Sequence, residues 1–353
     1  MDLIVLDTSR TPVHLLDVYS SFIWTDRYNS YGDFELHAPV STDLLNYLRQ
    51  DYYIVNNDSE HVMVIEKLLI KSDVENGSEI TITGRSLESL LDRRIVWKRM
   101  TLTGNLQNGI KKLLDANIIS PTDASRKIDN FIFEASTDTA ITDLTIDAQY
   151  TGDNLYDVIT VICQENGIGF KITLNDSNQF VFKLYCGVDR SYDQTTHPYV
   201  VFSPSFENII EHNYVESKMA LKNVTLIGGE GEGSARKYAT VGSATGLDRR
   251  ELFTDARDVQ SEDSDGNAIS TAEYTKQLEQ RGREKLSESR DIVAFEGEAD
   301  VSGMFTYDID FFMGDIVQIS DDYGHETKSR VVELVMSESE EGITTYPTFA
   351  YVS

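Results

Sequence analysis

Cysteine is nearly absent. Two thiols, Cys163 and Cys186, in 353 residues are too few for a disulfide scaffold, and their apolar neighbours mark them as buried free thiols. Long apolar runs are missing as well, with nothing near the roughly 18 residues of a membrane-spanning helix. The N-terminus, Met1-Asp2-Leu3-Ile4-Val5-Leu6-Asp7, has no basic stretch ahead of its short apolar run and closes on an acid, so neither an export signal nor a membrane span is expected. Basic residues are scarce: 31 Lys and Arg stand against 59 Asp and Glu, a formal net charge of −28. Proteins that grip phosphate backbones present a basic surface that releases counterions, so binding of nucleic acid is disfavoured. A carboxylate-lined surface would instead keep a passing DNA strand from adhering.

Catalytic signatures are missing too. The six histidines, His14, His37, His61, His197, His212 and His325, include no pair at the spacing that puts two ligands on one face of an element, so no metal is expected. Gly228-Gly229-Glu230-Gly231-Glu232-Gly233 is the one candidate phosphate cradle. It lacks the Lys-Ser/Thr ending of a P-loop and would face a phosphate with two glutamates, so it is expected to be a mobile loop or tight crossing. No Gly-x-Ser-x-Gly elbow occurs, and Val161-Ile162-Cys163 has no thiol-protease signature. With 59 acids present, carboxylate pairs of the kind that hydrolyse glycosides carry no information. No catalytic residue and no cofactor is expected.

What is present is enough apolar surface to fold: 40 % apolar and 10 % aromatic residues, 18 of them Tyr. A chain of this length implies roughly two to four packed units. Short β-prone runs at 3–6, 18–24, 34–37, 52–55, 62–70 and 80–84 are separated by turn signals such as Tyr31-Gly32-Asp33 and the hairpin signal Asn76-Gly77. Ser41 and Ser86 are placed to cap short helices carrying Leu44, Leu45 and Leu48, and Leu87, Leu90 and Leu91. From residue 101 the period becomes helical at Leu106, Ile110, Leu113 and Leu114, and again at Leu155, Val158, Ile159 and Ile162. Asn166-Gly167 closes the second helix and a hairpin follows over 168–185. Strand character returns over 199–228, a loop spans 261–267, and 272–289 is a helix whose many charges place it on a surface. Strands close the chain at 292–301, 305–309, 315–319, 329–336 and 343–351. The class is α+β, predominantly β.

Residues 291–353 hold 14 acids and two bases, a single-sign end that suits solubility or an acidic lumen. The basic pairs Arg93 and Arg94, in Leu91-Asp92-Arg93-Arg94-Ile95-Val96, and Arg249 and Arg250, in Leu247-Asp248-Arg249-Arg250-Glu251-Leu252, are expected to form intersubunit salt bridges.

Several segments in order resemble the baseplate hub family of long-tailed bacteriophages, which includes the N-terminal portion of tail-associated lysins. They are Trp24-Thr25-Asp26-Arg27-Tyr28, Tyr31-Gly32-Asp33-Phe34-Glu35-Leu36 with Ala38-Pro39, and Ile82-Thr83-Gly84-Arg85-Ser86-Leu87 running to Arg93-Arg94-Ile95. Gly152-Asp153-Asn154-Leu155-Tyr156, Gly167-Ile168-Gly169-Phe170 and Met313-Gly314-Asp315-Ile316-Val317 follow. The resemblance implies two tail-tube-like β-barrels with inserted α+β domains. Residues 1–100 with 200–230 would form the first barrel, 101–199 an α+β domain packing partly with the second, 231–290 a loop and helix insertion, and 291–353 the C-terminal strands of the second barrel. It further implies a non-enzymatic virion protein at the tail tip, made in the bacterial cytoplasm. A homotrimeric ring would continue the tail tube, let DNA pass, and meet the distal tail protein, the tape measure protein and receptor-binding or fibre proteins. Hub chains often continue into a degradative domain; the last strand here ends next to Ser353, so no such domain is expected. The alternatives are a carbohydrate-active hydrolase and a glycan-binding adhesin of the tail tip.

Overall fold

The computed structural model describes residues 2–73, 77–263, 265–289, 292–299, 303–340 and 342–352. In chain order, β1 (Leu3–Leu6), β2 (Pro12–Leu16), β3 (Ser21–Arg27), β4 (Asp33–Pro39), the short α1 (Leu44–Tyr47), β5 (Tyr53–Asn56), β6 (Val62–Asp73) and β7 (Gly77–Ser86) come first. Next are β8 (Met100–Asn105), α2 (Leu106–Leu114), β9 (Phe131–Glu134), α3 (Thr139–Thr142), β10 (Thr145–Tyr150), α4 (Leu155–Glu165), β11 (Gly169–Leu174), β12 (Phe180–Tyr185) and β13 (Val201–Phe202). The remainder is β14 (Ile209–Ser217), β15 (Val224–Gly228), β16 (Tyr238–Val241), β17 (Glu251–Asp255), α5 (Thr271–Ser287), β18 (Ile292–Ala299), β19 (Ile316–Ser320), β20 (Glu326–Ser339) and β21 (Gly342–Tyr351).

Alternation explains the first strands. In β3, Phe22 and Trp24 point inward and are fully buried while Ile23 between them is 44 % exposed, the period-two pattern of a half-buried strand. Gly32 in the turn before β4 has no room for a side chain, because a Cβ would lie 2.1 Å from the Thr25 carbonyl oxygen. The β6–β7 pair forms the expected hairpin; Asn76 of its turn signal lies outside the described residues.

An eleven-stranded sheet runs β13-β19-β20-β3-β4-β7-β6-β5-β1-β2, with β21 also on β20. Among the described residues this path has two ends and does not close into a barrel. Its central device is β20. One edge pairs first with β19 (Ile316 opposite Arg330) and then with β3 (Trp24 opposite Met336), while the other carries β21. Strands from the two chain ends are therefore hydrogen-bonded neighbours, and their core is continuous from Trp24, Leu36 and Ile54 to Phe202, Phe311 and Val317.

A second core belongs to the α+β region. The β8–β10 pair, α2, α4 and the β9-β12-β11 sheet bury Leu102, Ile110, Leu113, Ile159, Phe170 and Phe182. Asn105 and Asn154 cap α2 and α4 by accepting from backbone N–H groups. A small third core joins β15–β17 to α5 through Ile227, Val259, Tyr274 and Leu278.

Several expectations change. Ser86 does not cap a helix: residues 87–93 form a 3-10 helix, and the Ser86 hydroxyl accepts from the Gly32 N–H instead. Residues 305–309 form turns, because Asp310 accepts from the Thr306 N–H and the chain folds back on itself. Of the two expectations for the glycine run at 228–233, it is the tight crossing that forms, pinned by Gly229 N–H to the Lys237 carbonyl and by Glu230 N–H to the Tyr274 hydroxyl. The helix at 272–289 does not lie free on a surface, for its polar residues Gln277, Gln280 and Glu284 are buried. Gln280 and Glu284 face α4 and β10, where side chains supply the partners that water would otherwise give.

Candidate functional site

The residues that carried the family resemblance meet in space at two joints. Tyr28, just past β3, is 1 % exposed. Its hydroxyl donates to the Gly167 carbonyl (3.1 Å), and its own carbonyl accepts from Phe170 N–H and the Tyr185 hydroxyl (both 3.2 Å). Gly169 and Gly314 lie against its ring, where added Cβ atoms would come within 2.5 and 2.3 Å. Arg330 of β20 stacks its guanidinium 5.2 Å above that ring and donates to the Gly314 carbonyl (2.8 Å). Burial pushes the Tyr28 hydroxyl well above its ordinary pKa, so it remains a donor.

Beside it, Asp315 is buried and saturated, accepting from Val188 N–H (2.7 Å), Arg190 Nε (2.6 Å) and Phe312 N–H (3.0 Å). At the second joint Tyr31 and Tyr156 pack at 4.9 Å between centroids, and the Tyr156 hydroxyl accepts from the Tyr31 N–H. One aromatic thus ties β3 to the α+β core, the 311–315 turn and β20, and another ties that core to the turn before β4. Motifs that look like turn chemistry in sequence act as rigid connectors.

Next to the first joint opens a cavity of about 1000 Å³ whose walls include Asp26, Glu60, His61, Tyr185, Asp308 and Met313. Behind it sits a buried polar node. Asp26 accepts from Trp24 Nε1 (2.8 Å) and the Ser59 hydroxyl (2.7 Å), while Glu88 accepts from Ile172 N–H (2.7 Å) and lies 3.2 Å from His61 Nδ1. The His61–Glu88 approach is an ion pair without hydrogen-bond geometry. Burial works against a charge on His61, but Asp26 and Glu88 outweigh it and hold the imidazolium at about 9. Burial raises Asp26 above the usual carboxylate range. For Glu88 burial is outweighed by His61 and by hydrogen bonds, leaving it below that range. Lys171, at the rim, pairs with Glu60 and lies 4.7 Å over the Tyr185 ring.

A general acid or base must reach its substrate. Glu88 is fully buried and both oxygens of Asp26 are engaged, so this node supports the fold. Among the described residues no group of three His, Cys, Asp or Glu side chains is placed to hold a metal. Sequence reading passed over Asp26, His61 and Glu88. The available signal was the phase of Asp26, which shares the inward face of β3 with Phe22 and Trp24.

The basic pairs lie on different units. Arg93 pairs with Asp51 at 3.1 Å. Arg94 donates to the carbonyls of Arg126 and Arg93; burial and those two neighbouring cations lower its pKa. Arg249 pairs with Glu251 (2.6 Å), and Arg250 donates to the Lys218 carbonyl (2.7 Å). Several C-terminal acids also have partners within the chain: Glu333 pairs with Arg27 and Glu338 accepts from Tyr19. Asp291, Asp300 and Glu341 lie outside the described residues.

The profile of the family described as Siphovirus ReqiPepy6 Gp37-like protein matches residues 2–349. No curated protein sequence matches. Among solved structures the fold is similar to prophage tail protein gp18 from Listeria monocytogenes EGD-e, at TM-score 0.58 and 14 % identity over 99 % of this chain and 94 % of that one. It is also similar to a tail protein from Neisseria meningitidis MC58, at TM-score 0.57 and 11 % identity, covering 99 % and 95 %. The 43 kDa tail protein of prophage MuSo2 from Shewanella oneidensis follows at TM-score 0.55 and 11 % identity, covering 99 % and 98 %. At such identities the likeness is one of fold, and it runs nearly end to end on both sides.

Proposed function

The chain belongs to the Siphovirus ReqiPepy6 Gp37-like protein family, and from that premise we propose that it is a structural tail-tip component of a siphovirus-type virion, acting as the baseplate hub. The observation that carries this reading is the end-to-end fold shared with prophage tail protein gp18, over 99 % of this chain and 94 % of that one. The shared fold accounts for nearly every residue of both chains. The connectors at Tyr28 and Tyr156 point the same way, since they spend Tyr28, Gly169, Gly314, Tyr31 and Tyr156 of the family-like segments on rigidity.

In this reading three copies form a closed ring that continues the tail tube. Head-to-tail contacts between identical chains close in this way when the rotation allows. The two tube-like units of each copy share β20, and the α+β region and the 224–289 insertion decorate them. The surplus of acids, −28 per chain, lines the passage so that DNA moves through without adhering. The ring meets the distal tail protein, the tape measure protein and the receptor-binding or fibre proteins.

Light scattering over a range of protein concentrations tests this. A species near three times 39.8 kDa is expected. A chain that stays monomeric and releases saccharide from peptidoglycan or capsule would replace this reading with the hydrolase.

A further inference from the structure

Arg93-Arg94-Ile95-Val96-Trp97-Lys98-Arg99 holds four cations and no acid, in a chain where acids outnumber bases 59 to 31. Val96 anchors it by burial, leaving Trp97 62 % and Ile95 39 % exposed. Arg126 lays its guanidinium 5.0 Å over one face of the Trp97 ring and donates to the Ile95 carbonyl (2.8 Å). A cavity of about 620 Å³ opens alongside, walled by Trp97, Lys98, Arg99, Lys112 and Arg126. Lys112 is held there by its bond to the Thr101 carbonyl (2.8 Å).

Acids nearby answer part of the group. Arg93 pairs with Asp51 (3.1 Å) and Arg99 with Glu262 (3.6 Å), Asp123 is engaged by Ser125 and Asp265 adds one further carboxylate to the wall, while among the described residues Lys98 and Arg126 form no ion pair. Lys98 and Arg126 therefore stand available to a carboxylate from outside the chain. An exposed Trp and Ile ringed by Arg and Lys is the composition of a protein interface core. A phosphate polymer would instead meet the repulsion of the whole chain's charge at long range.

The complementary surface lies on the turn between β19 and β20, Asp321-Asp322-Tyr323-Gly324-His325-Glu326. Tyr323 is 84 % exposed. Asp321 accepts from the N–H groups of Tyr323 and His325 (2.8 and 2.9 Å) and pairs with the His325 ring (2.6 Å), so the tip is prebuilt with its tyrosine outward. Asp322 and Glu326 are exposed beside it.

We propose that the Trp97 groove of one copy receives the 321–326 turn of a second copy. Tyr323 packs on the free side of Trp97, and Asp322 and Glu326 face Lys98 and Arg126. Groove and turn are different patches, so the contact is head-to-tail and repeats around a ring. This rests on the trimer reading above and names its interface.

The test compares the mass by light scattering of the wild-type chain with three variants: Lys98→Glu with Arg126→Glu, Asp322→Lys with Glu326→Lys, and all four changes on one chain. Each reversal alone is expected to weaken assembly by about tenfold or more, and the fourfold variant to recover most of that loss, as coupled charge pairs do. Circular dichroism verifies folding. If Arg126→Glu disturbs it, Tyr323→Ser at the exposed tip supplies the same readout. Trimers insensitive to every reversal would overturn this contact and leave the ring standing. A wild-type chain that is monomeric at all concentrations would overturn the self-contact together with a ring built from this chain alone.

Discussion

Gly314 shows how a single residue carries the architecture. Its φ is +91° and an added Cβ would stand 2.3 Å from the Tyr28 ring, so a side chain there meets both backbone strain and a clash at the first joint. Gly324, at φ +89° with nothing within 4 Å, meets only the strain. Gly324→Ala is expected to cost about 1 kcal/mol, and Gly314→Ala about 2–4 kcal/mol once overpacking is added. Urea unfolding of the two variants measures the difference; equal costs would mean that Tyr28 yields. His61 makes a second prediction. Its pKa is raised from 6.5 to about 9 by Asp26 and Glu88 against the opposing effect of burial, so its charge contributes stability in full below pH 6.5 and loses it as pH rises through 9. His61→Gln should flatten the stability profile across that window. Met313-Gly314-Asp315 was visible in sequence as a family-like segment. That its glycine faces a tyrosine far away in the chain was not, because a local motif encodes φ and ψ but not the neighbour.

Among the elements, α5 is one whose sequence misled. Ser270 caps it, and Tyr274 and Leu278 mark one apolar stripe. Its opposite side is polar, which resembles a solvated face, yet that side packs on α4 and β10. There the Tyr150 hydroxyl donates to Glu284, Gln280 bonds Glu165, and Arg281 lies 5.8 Å from the Tyr150 ring centroid and 3.5 Å from Glu284. Such a polar seam is written as charge in the sequence and becomes a contact only when the partner unit supplies matching groups. Burial is the main cause that lifts Glu284 from 4.5 to about 7, with Glu165 adding repulsion and Arg281, Tyr150 and Gln280 opposing. A carboxyl raised in the folded state contributes its stability below its unfolded value and loses it as pH rises through the folded one. The seam should therefore weaken between pH 4.5 and about 7. Hydrogen exchange in α5, corrected for intrinsic rates, should speed over that interval, and Glu284→Gln should remove the dependence. Exchange that stays flat in the wild type would mean that Arg281 keeps Glu284 ionised throughout. Strands β8 and β10 were missed for another reason. Each is six residues long and adjoins a run of helical period, so the stronger pattern masked them.

The strands of the two chain ends are joined by β20. Alternation in sequence was enough to find strands at both chain ends, and the family resemblance assigned those ends to separate barrels. Pairing is a different matter, because Trp24 opposite Met336 is fixed by the burial both strands gain and by nothing local to either. Since β20 holds β19, β3 and β21 at once, the N-terminal strands lack an edge partner without it, and Trp24, Leu36, Val331, Leu334 and Phe349 lose a common core. An unpaired apolar edge of that kind invites aggregation. A chain ended at residue 325 is therefore expected to be insoluble or to lack a cooperative unfolding transition, and co-expression of the 326–352 segment should restore soluble protein by supplying β20 and β21. If the shortened chain instead folds with native near-ultraviolet dichroism, the N-terminal sheet stands alone and β20 is an addition to a finished unit. The same strand then becomes the seam along which two independently folding units are joined.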